Sequence, residues 1–163
     1  MNISVRAARP EDSGFLAAGN VAMALEAEHK RLDPATVDLG VRAVLEDPAR
    51  GRYYVAEQDG RPVGQLMVTY EWSDWRNGCF WWIQSVYVLP EARRGGVFRA
   101  LFRNLEYVAR SDGGVCGIRL YVDRDNHRAR ETYRRCGLVD AGYAVMEVDY
   151  SGAVQSAGGT RHA

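Results

Sequence analysis

The chain has 163 residues, 47% of them hydrophobic, with 21 basic and 21 acidic side chains and no formal net charge. That is one domain with enough apolar residues for a proper core, and the missing basic excess excludes a general nucleic-acid binder, which needs an extended positive footprint. No apolar run reaches membrane-spanning length, no basic-then-apolar leader opens the chain, and Cys79, Cys116 and Cys136 lack zinc or disulfide spacing, so we expect a cytoplasmic protein with reduced thiols and no resident metal.

In chain order, residues 3–8 read as a short strand. Pro10-Glu11-Asp12-Ser13 then opens a helix, its acids facing the positive end of the helix dipole, and an apolar stripe from Phe15 to Leu25 carries it to about Glu28. Asp33-Pro34 starts a second helix with Val37, Val41, Val44 and Leu45 on one side, and Asp47-Pro48 stops it. Strands at 53–57 and 63–70 flank Asp59-Gly60, a hairpin signal. A Trp-bearing loop at 72–78 leads into an aromatic, β-branched strand over 80–89, ended by Pro90, which cannot donate to a ladder.

Arg93-Arg94-Gly95-Gly96 follows, and from Val97 apolar residues recur at helical spacing. Glycines allow close backbone approach to a ligand, and the first amides of a helix lack partners within it. With two arginines these features suit a pyrophosphate, and paired arginines beside a Gly-Gly turn also occur on plain solvated surface. Charge distribution favours the anion site: residues 1–90 carry nine basic and twelve acidic side chains, residues 91–135 eleven arginines against six acids. Further on come a strand over 117–122, a short helix from His127 to Cys136 capped by Asn126 and stopped at Gly137, closing strands at 138–141 and 143–149, and a flexible tail over 151–163. Hairpins plus one strand-helix-strand crossover predict an α/β fold with a mixed central sheet flanked by helices, in a single domain over residues 1–150.

Two stretches together resemble the GNAT superfamily of acyl-CoA-dependent N-acyltransferases. The first signature, Arg/Gln-x-x-Gly-x-Gly/Ala between a strand and a long helix, is matched at Arg93 and Gly96 and departs at Phe98. The second, Asn-x-x-Ala-x-x-x-Tyr-x-x-x-Gly-Phe, is met at Asn126, Ala129, Tyr133 and Gly137, with Leu138 in the last place. The element order over residues 2–149 fits as well. To a lesser degree, residues 70–88 look like the diamine and polyamine acetyltransferases.

The resemblance implies a mixed GNAT sheet and acetyl-CoA as cofactor. It implies pantetheine along Val86, Tyr87 and Val88, with a strand amide polarising the thioester carbonyl. The phosphates fall to Arg93, Arg94, Gly95, Gly96, Val97 and Phe98, the last expected to turn its ring to the core and leave its amide free, with Asn126 and Arg130 on the second signature. Tyr133 matches the general acid that protonates the leaving thiolate, and a phenol of pKa ~10 suits that task. Gln84 stands where polyamine enzymes carry a proton-receiving carboxylate; a neutral amide cannot be a base, and it is expected as a polar contact of the reacting amine. Glu26, Glu28, Glu71 and Asp74 are the acids nearest the acceptor side, Glu26 being the candidate for proton handling. Each acid has an ordinary solvated surface residue as its alternative. Trp75 and Trp72 join Trp81 and Trp82 as candidate pocket walls, at least two of the four being expected in the core. The acceptor is expected to be a small cationic amine and the enzyme a possible homodimer; alternatives are a protein or peptide N-acetyltransferase and a catalytically silent acyl-CoA-binding domain.

Overall fold

The computed structural model describes residues 2–150. Strand β1 (Ile3–Ala7) leads through a short 3-10 turn to helices α1 (Ser13–Glu28) and α2 (Pro34–Glu46), then β2 (Arg52–Gln58), β3 (Arg61–Ser73) and β4 (Gly78–Val88). Helix α3 (Val97–Ser111) crosses to β5 (Val115–Leu120), and α4 (His127–Arg135) follows. The sheet runs β1-β2-β3-β4-β5, with β1 to β4 antiparallel neighbours and β5 parallel to β4. This is the mixed α/β sheet that hairpins and a single crossover require.

Both sheet faces are covered, which is why Tyr53, Tyr54, Val55 and Ala56 are all buried although they alternate sides. On one face Val97, Leu101, Phe102, Leu105 and Ala109 of α3 pack against Tyr54, Ala56, Leu66, Val68, Trp81 and Ile83. On the other, Leu16 of α1 and Val41 of α2 close over Tyr53 and Val55. Asp33 caps α2 by accepting from Thr36 N at 2.9 Å, with Pro34 at the first helical position, where a missing N–H costs nothing.

Three expectations are corrected. Residues 138–141 and 143–149 form no strands. Val139, Tyr143, Val145, Met146 and Val148 are all exposed, so neither face of a strand would be packed there, and an unpacked segment without a partner edge is not held as a strand. Asp140 and Gly142, at φ +77°, instead make a turn in which Asp140 accepts from Gly142 N at 2.9 Å. Trp72 lies within β3, and the turn into β4 is only residues 74–77. Of the four tryptophans only Trp81 is buried; Trp82 is half-buried, while Trp72 and Trp75 stand beyond the reach of the helices and are exposed. The expected tail over 151–163 lies outside the described residues.

Candidate functional site

The site begins where β4 loses its neighbour. Strand β5 pairs with β4 only from Cys79 to Ile83, whose partner is Leu120. Past that point β4 runs on to Val88 along β3 alone, so its edge from Gln84 to Val88 opens into a wedge. The same stretch carries a bulge: Gln65 pairs with Tyr87 and Met67 with Gln84, leaving Ser85 and Val86 opposite Leu66 alone. Ser85 takes φ +48°, a left-handed value that a non-glycine residue holds only under surrounding constraint. A bulge re-aims the backbone groups that follow it.

The wedge runs into the turn before α3. Arg94 and Gly96 have φ +66° and +85°, and Arg94, Gly95 and Gly96 are exposed. The first helical bond runs from Ala100 N to Gly96 O at 3.0 Å, which leaves the amides of Val97, Phe98 and Arg99 outside the helical ladder. These amides and Arg94 fit an anionic phosphate group on chemical grounds, since each is a donor at a helix N-terminus.

Asn126 caps α4 by accepting from Ala129 N at 3.0 Å, and Tyr133 follows two turns on. Its ring meets that of Phe98 edge-on at 5.3 Å, and Phe98 also packs on Phe102 at 6.0 Å. Phe98, the departure from the family pattern, therefore turns its side chain to the helices and joins α4 to α3. Burial pushes the Tyr133 phenol above its ordinary value, so it stays protonated and able to donate.

Arg93 reaches across to α1. Its Nη2 lies 2.6 Å from Glu26 Oε2, its Nε donates to Val88 O at 2.9 Å, and its guanidinium lies 5.5 Å from the Tyr87 ring centroid. The Tyr87 hydroxyl donates to Glu26 Oε1 at 2.8 Å. Arg93 first and Tyr87 second hold the Glu26 carboxyl below its ordinary value, so Glu26 is a charged anchor and a poor base.

Other expected residues lie apart. Glu28 pairs with Lys30 at 2.7 Å. Glu71 accepts from Arg119 Nη1 at 2.6 Å and from Trp82 Nε1 at 2.7 Å, in a cluster where Trp82 stacks on Tyr121 at 4.3 Å and Arg119 covers the Phe80 ring at 3.7 Å. Gln84 is exposed and donates to Thr69 Oγ1 at 2.6 Å. Trp75, 86% exposed, sits in the β3–β4 turn, and Arg130 pairs with Asp140 at 3.3 Å.

Sequence reasoning missed a polar chain behind the bulge. Gln65 on β3 is fully buried and donates to Leu16 O at 3.1 Å and to Asn20 Oδ1 at 2.7 Å; Asn20 Nδ2 in turn donates to the Tyr53 hydroxyl at 2.9 Å. A glutamine inside the apolar run Val63 to Val68 was the one available signal. Nothing in the sequence marks Ser85.

Comparison with known proteins gives the family and the fold. Residues 22–138 match the profile of the acetyltransferase (GNAT) family. A possible acetyltransferase from Clostridium difficile 630 shares 41% identity with a TM-score of 0.85, over 91% of this chain and 98% of its own. More distant in sequence, the ribosomal-protein-alanine N-acetyltransferase from Brucella melitensis biovar Abortus 2308 has 17% identity and TM-score 0.73, over 92% of this chain and all (100%) of its own. AAC(6')-Iy in complex with the bisubstrate analogue CoA-S-monomethyl-acetylneamine has 13% identity and TM-score 0.72, over 91% and 99%. No curated protein matches the sequence significantly. The family match, on this fold, defines an acyltransferase. The chain belongs to the GNAT acetyltransferase family.

Proposed function

We propose that this enzyme transfers an acetyl group from acetyl-CoA to the primary amine of a small cationic molecule. The observation that carries the reading is the wedge at residues 84–88 of β4, leading directly into the turn of Arg94 to Gly96. When bound, acetyl-CoA supplies an acyl thioester whose carbonyl carbon accepts the amine. Val86, Tyr87 and Val88 hold the pantetheine arm and polarise the carbonyl through a backbone N–H, a donor worth ~2.7–4 kcal/mol to the transition state. Arg94, Gly95 and Gly96, with the amides of Val97 and Phe98, take the phosphates; Arg93, expected there too, is turned to Glu26 and Val88 O, Asn126 caps the start of α4, and Arg130 ties that helix to Asp140. As the C–N bond forms and the C–S bond breaks, Tyr133 gives its proton to the thiolate sulfur, and the amine's proton leaves to solvent.

The cationic preference rests on the acidic excess of the first ninety residues. Glu26, Glu28 and Glu71 are each ion-paired, so an acceptor ammonium competes with Arg93 for Glu26. The related structures comprise one protein named for a ribosomal-protein alanine and one holding a neamine-derived bisubstrate analogue, and the shared fold does not choose between them. The test is thiol release from acetyl-CoA with a panel of amines, amino acids and peptides. Release with small amines supports the reading, peptide preference replaces it, and binding of coenzyme A without release with any acceptor leaves a silent acyl-CoA-binding domain.

The single-domain span over residues 1–150 and a cytoplasmic setting belong to the same reading, the latter supported by three free thiols. Among the described residues no helix is long and apolar enough to cross a membrane. A homodimer is supported by Val139, Tyr143, Val145, Met146, Val148 and Tyr150, each of which is exposed in the segment after α4.

A further inference from the structure

A cavity of about 290 Å³ lies between α1, α2 and the sheet. Its walls are apolar, chiefly Met23 of α1, Val37 and Val44 of α2 and Met67 of β3. At one end are three neutral polar groups, Asn20, the Tyr53 hydroxyl and Ser85. Ser85 is the bulge residue, and the next residue, Val86, begins the part of β4 assigned to the thioester. Glu26 stands one helical turn beyond Met23, on the same side of α1.

We propose that the cavity seats the body of the acceptor, and that this body is a small alkyl or aryl group matched to its apolar walls. The inference rests on the acetyl-transfer reading and narrows its substrate class to apolar monoamines. The amine emerges at the Ser85 end, beside the β4 edge, with Glu26 nearby to hold its charge before the proton leaves. Among the described residues, no charged side chain lines the cavity. A second ammonium on the acceptor, as in a polyamine or an aminoglycoside, would enter it unpaired, and burying an unpaired charge is strongly unfavourable. An apolar body has no such penalty and matches the apolar walls. Asn20 and Tyr53 are already bonded to each other, at 2.9 Å, so the polar end is fixed before the acceptor arrives.

The experiment compares kcat/KM for 2-phenylethylamine, hexylamine, ethylamine, putrescine and spermidine at saturating acetyl-CoA. 2-Phenylethylamine and hexylamine are expected at least ~10-fold above ethylamine and both polyamines, since a pocket contact of even one methylene gives discrimination of ~10-fold or more. Val44→Phe and Gly40→Leu narrow the cavity; a Cβ at Gly40 meets nothing within 4 Å, so the second variant should fold even if the first does not. In either, the advantage of 2-phenylethylamine over ethylamine should shrink by ~10-fold. Polyamines turned over ahead of the apolar monoamines would overturn the pocket assignment while leaving acetyl transfer intact. Binding is read apart from turnover by the rise in Tm with 2-phenylethylamine in wild type and its loss in the narrowed variants. An equal rise in all three, or none in wild type, sinks the proposal even if no amine is acetylated.

Discussion

Tyr133 and Gly19 show how single residues are committed by their surroundings. Burial raises the Tyr133 phenol above its ordinary value of 10, so the donor stays protonated throughout the neutral range and is lost only when pH climbs through that raised value. Tyr133→Phe keeps the ring contact with Phe98 and deletes only the proton. Turnover should fall by roughly 10²–10⁴ with coenzyme A affinity nearly constant, and the alkaline limb of the kcat profile should vanish. Unchanged turnover where chemistry limits the rate would remove Tyr133 from the mechanism. Gly19 sits mid-helix in α1, where alanine normally stabilises by ~1 kcal/mol. Here a Cβ would collide with the Gln65 carboxamide oxygen, which is buried without a hydrogen-bond partner, and the fully enclosed Gln65 has nowhere to move. Gly19→Ala should therefore lower Tm, and a rise would show that Gln65 relaxes freely.

Among the elements, β4 decides most. It has a β3 neighbour along its length and a β5 neighbour for only its first half, and the Ser85 bulge lies just past the point where β5 leaves. Ser85 at φ +48° tolerates glycine and resists a β-branched side chain. Ser85→Val should cost about 1–2 kcal/mol in denaturant unfolding, the cost of a left-handed conformation, with Ser85→Gly close to wild type. Equal stability of the two variants would mean that the bulge relaxes when the residue changes. Element α3 acts from the other side: its stripe of Val97, Leu101 and Leu105 is fully buried, so the turn ahead of it is held by the core while remaining open to solvent.

For the whole molecule, the ends of the sheet differ. The β1 end is tied down by Arg6, which pairs with Asp12 and Glu57 at 2.7 Å each. At the other end β5 has, among the described residues, a neighbour on one side only, and the exposed apolar side chains of residues 139–150 follow. An open edge beside an apolar segment favours association with another chain. Light scattering should find a dimer, and Val145→Asp combined with Val148→Asp should shift it to monomer. A wild type that remains monomeric at high protein concentration would count against this.

The order of strands and helices, the Arg93–Gly96 turn and the Asn126 cap were legible from the sequence because each depends on neighbours within a few residues: periodicity, glycine freedom, a proline stop. The acid role proposed for Tyr133 rests on resemblance alone, since nothing local distinguishes a packing tyrosine from an acid. The closing strands expected at 138–141 and 143–149 are not formed, because a strand needs a partner edge and a packed face, and a local window of sequence contains neither. Tertiary structure alone decided the rest. The Ser85 bulge depends on the register between two strands, and the pairing of Glu26 with Arg93 joins residues 67 apart. The cavity exists because α1 and α2 cross the sheet without filling the space over Met67 and Ser85. Such features are set by how distant surfaces meet, and no window of sequence contains both sides of the contact.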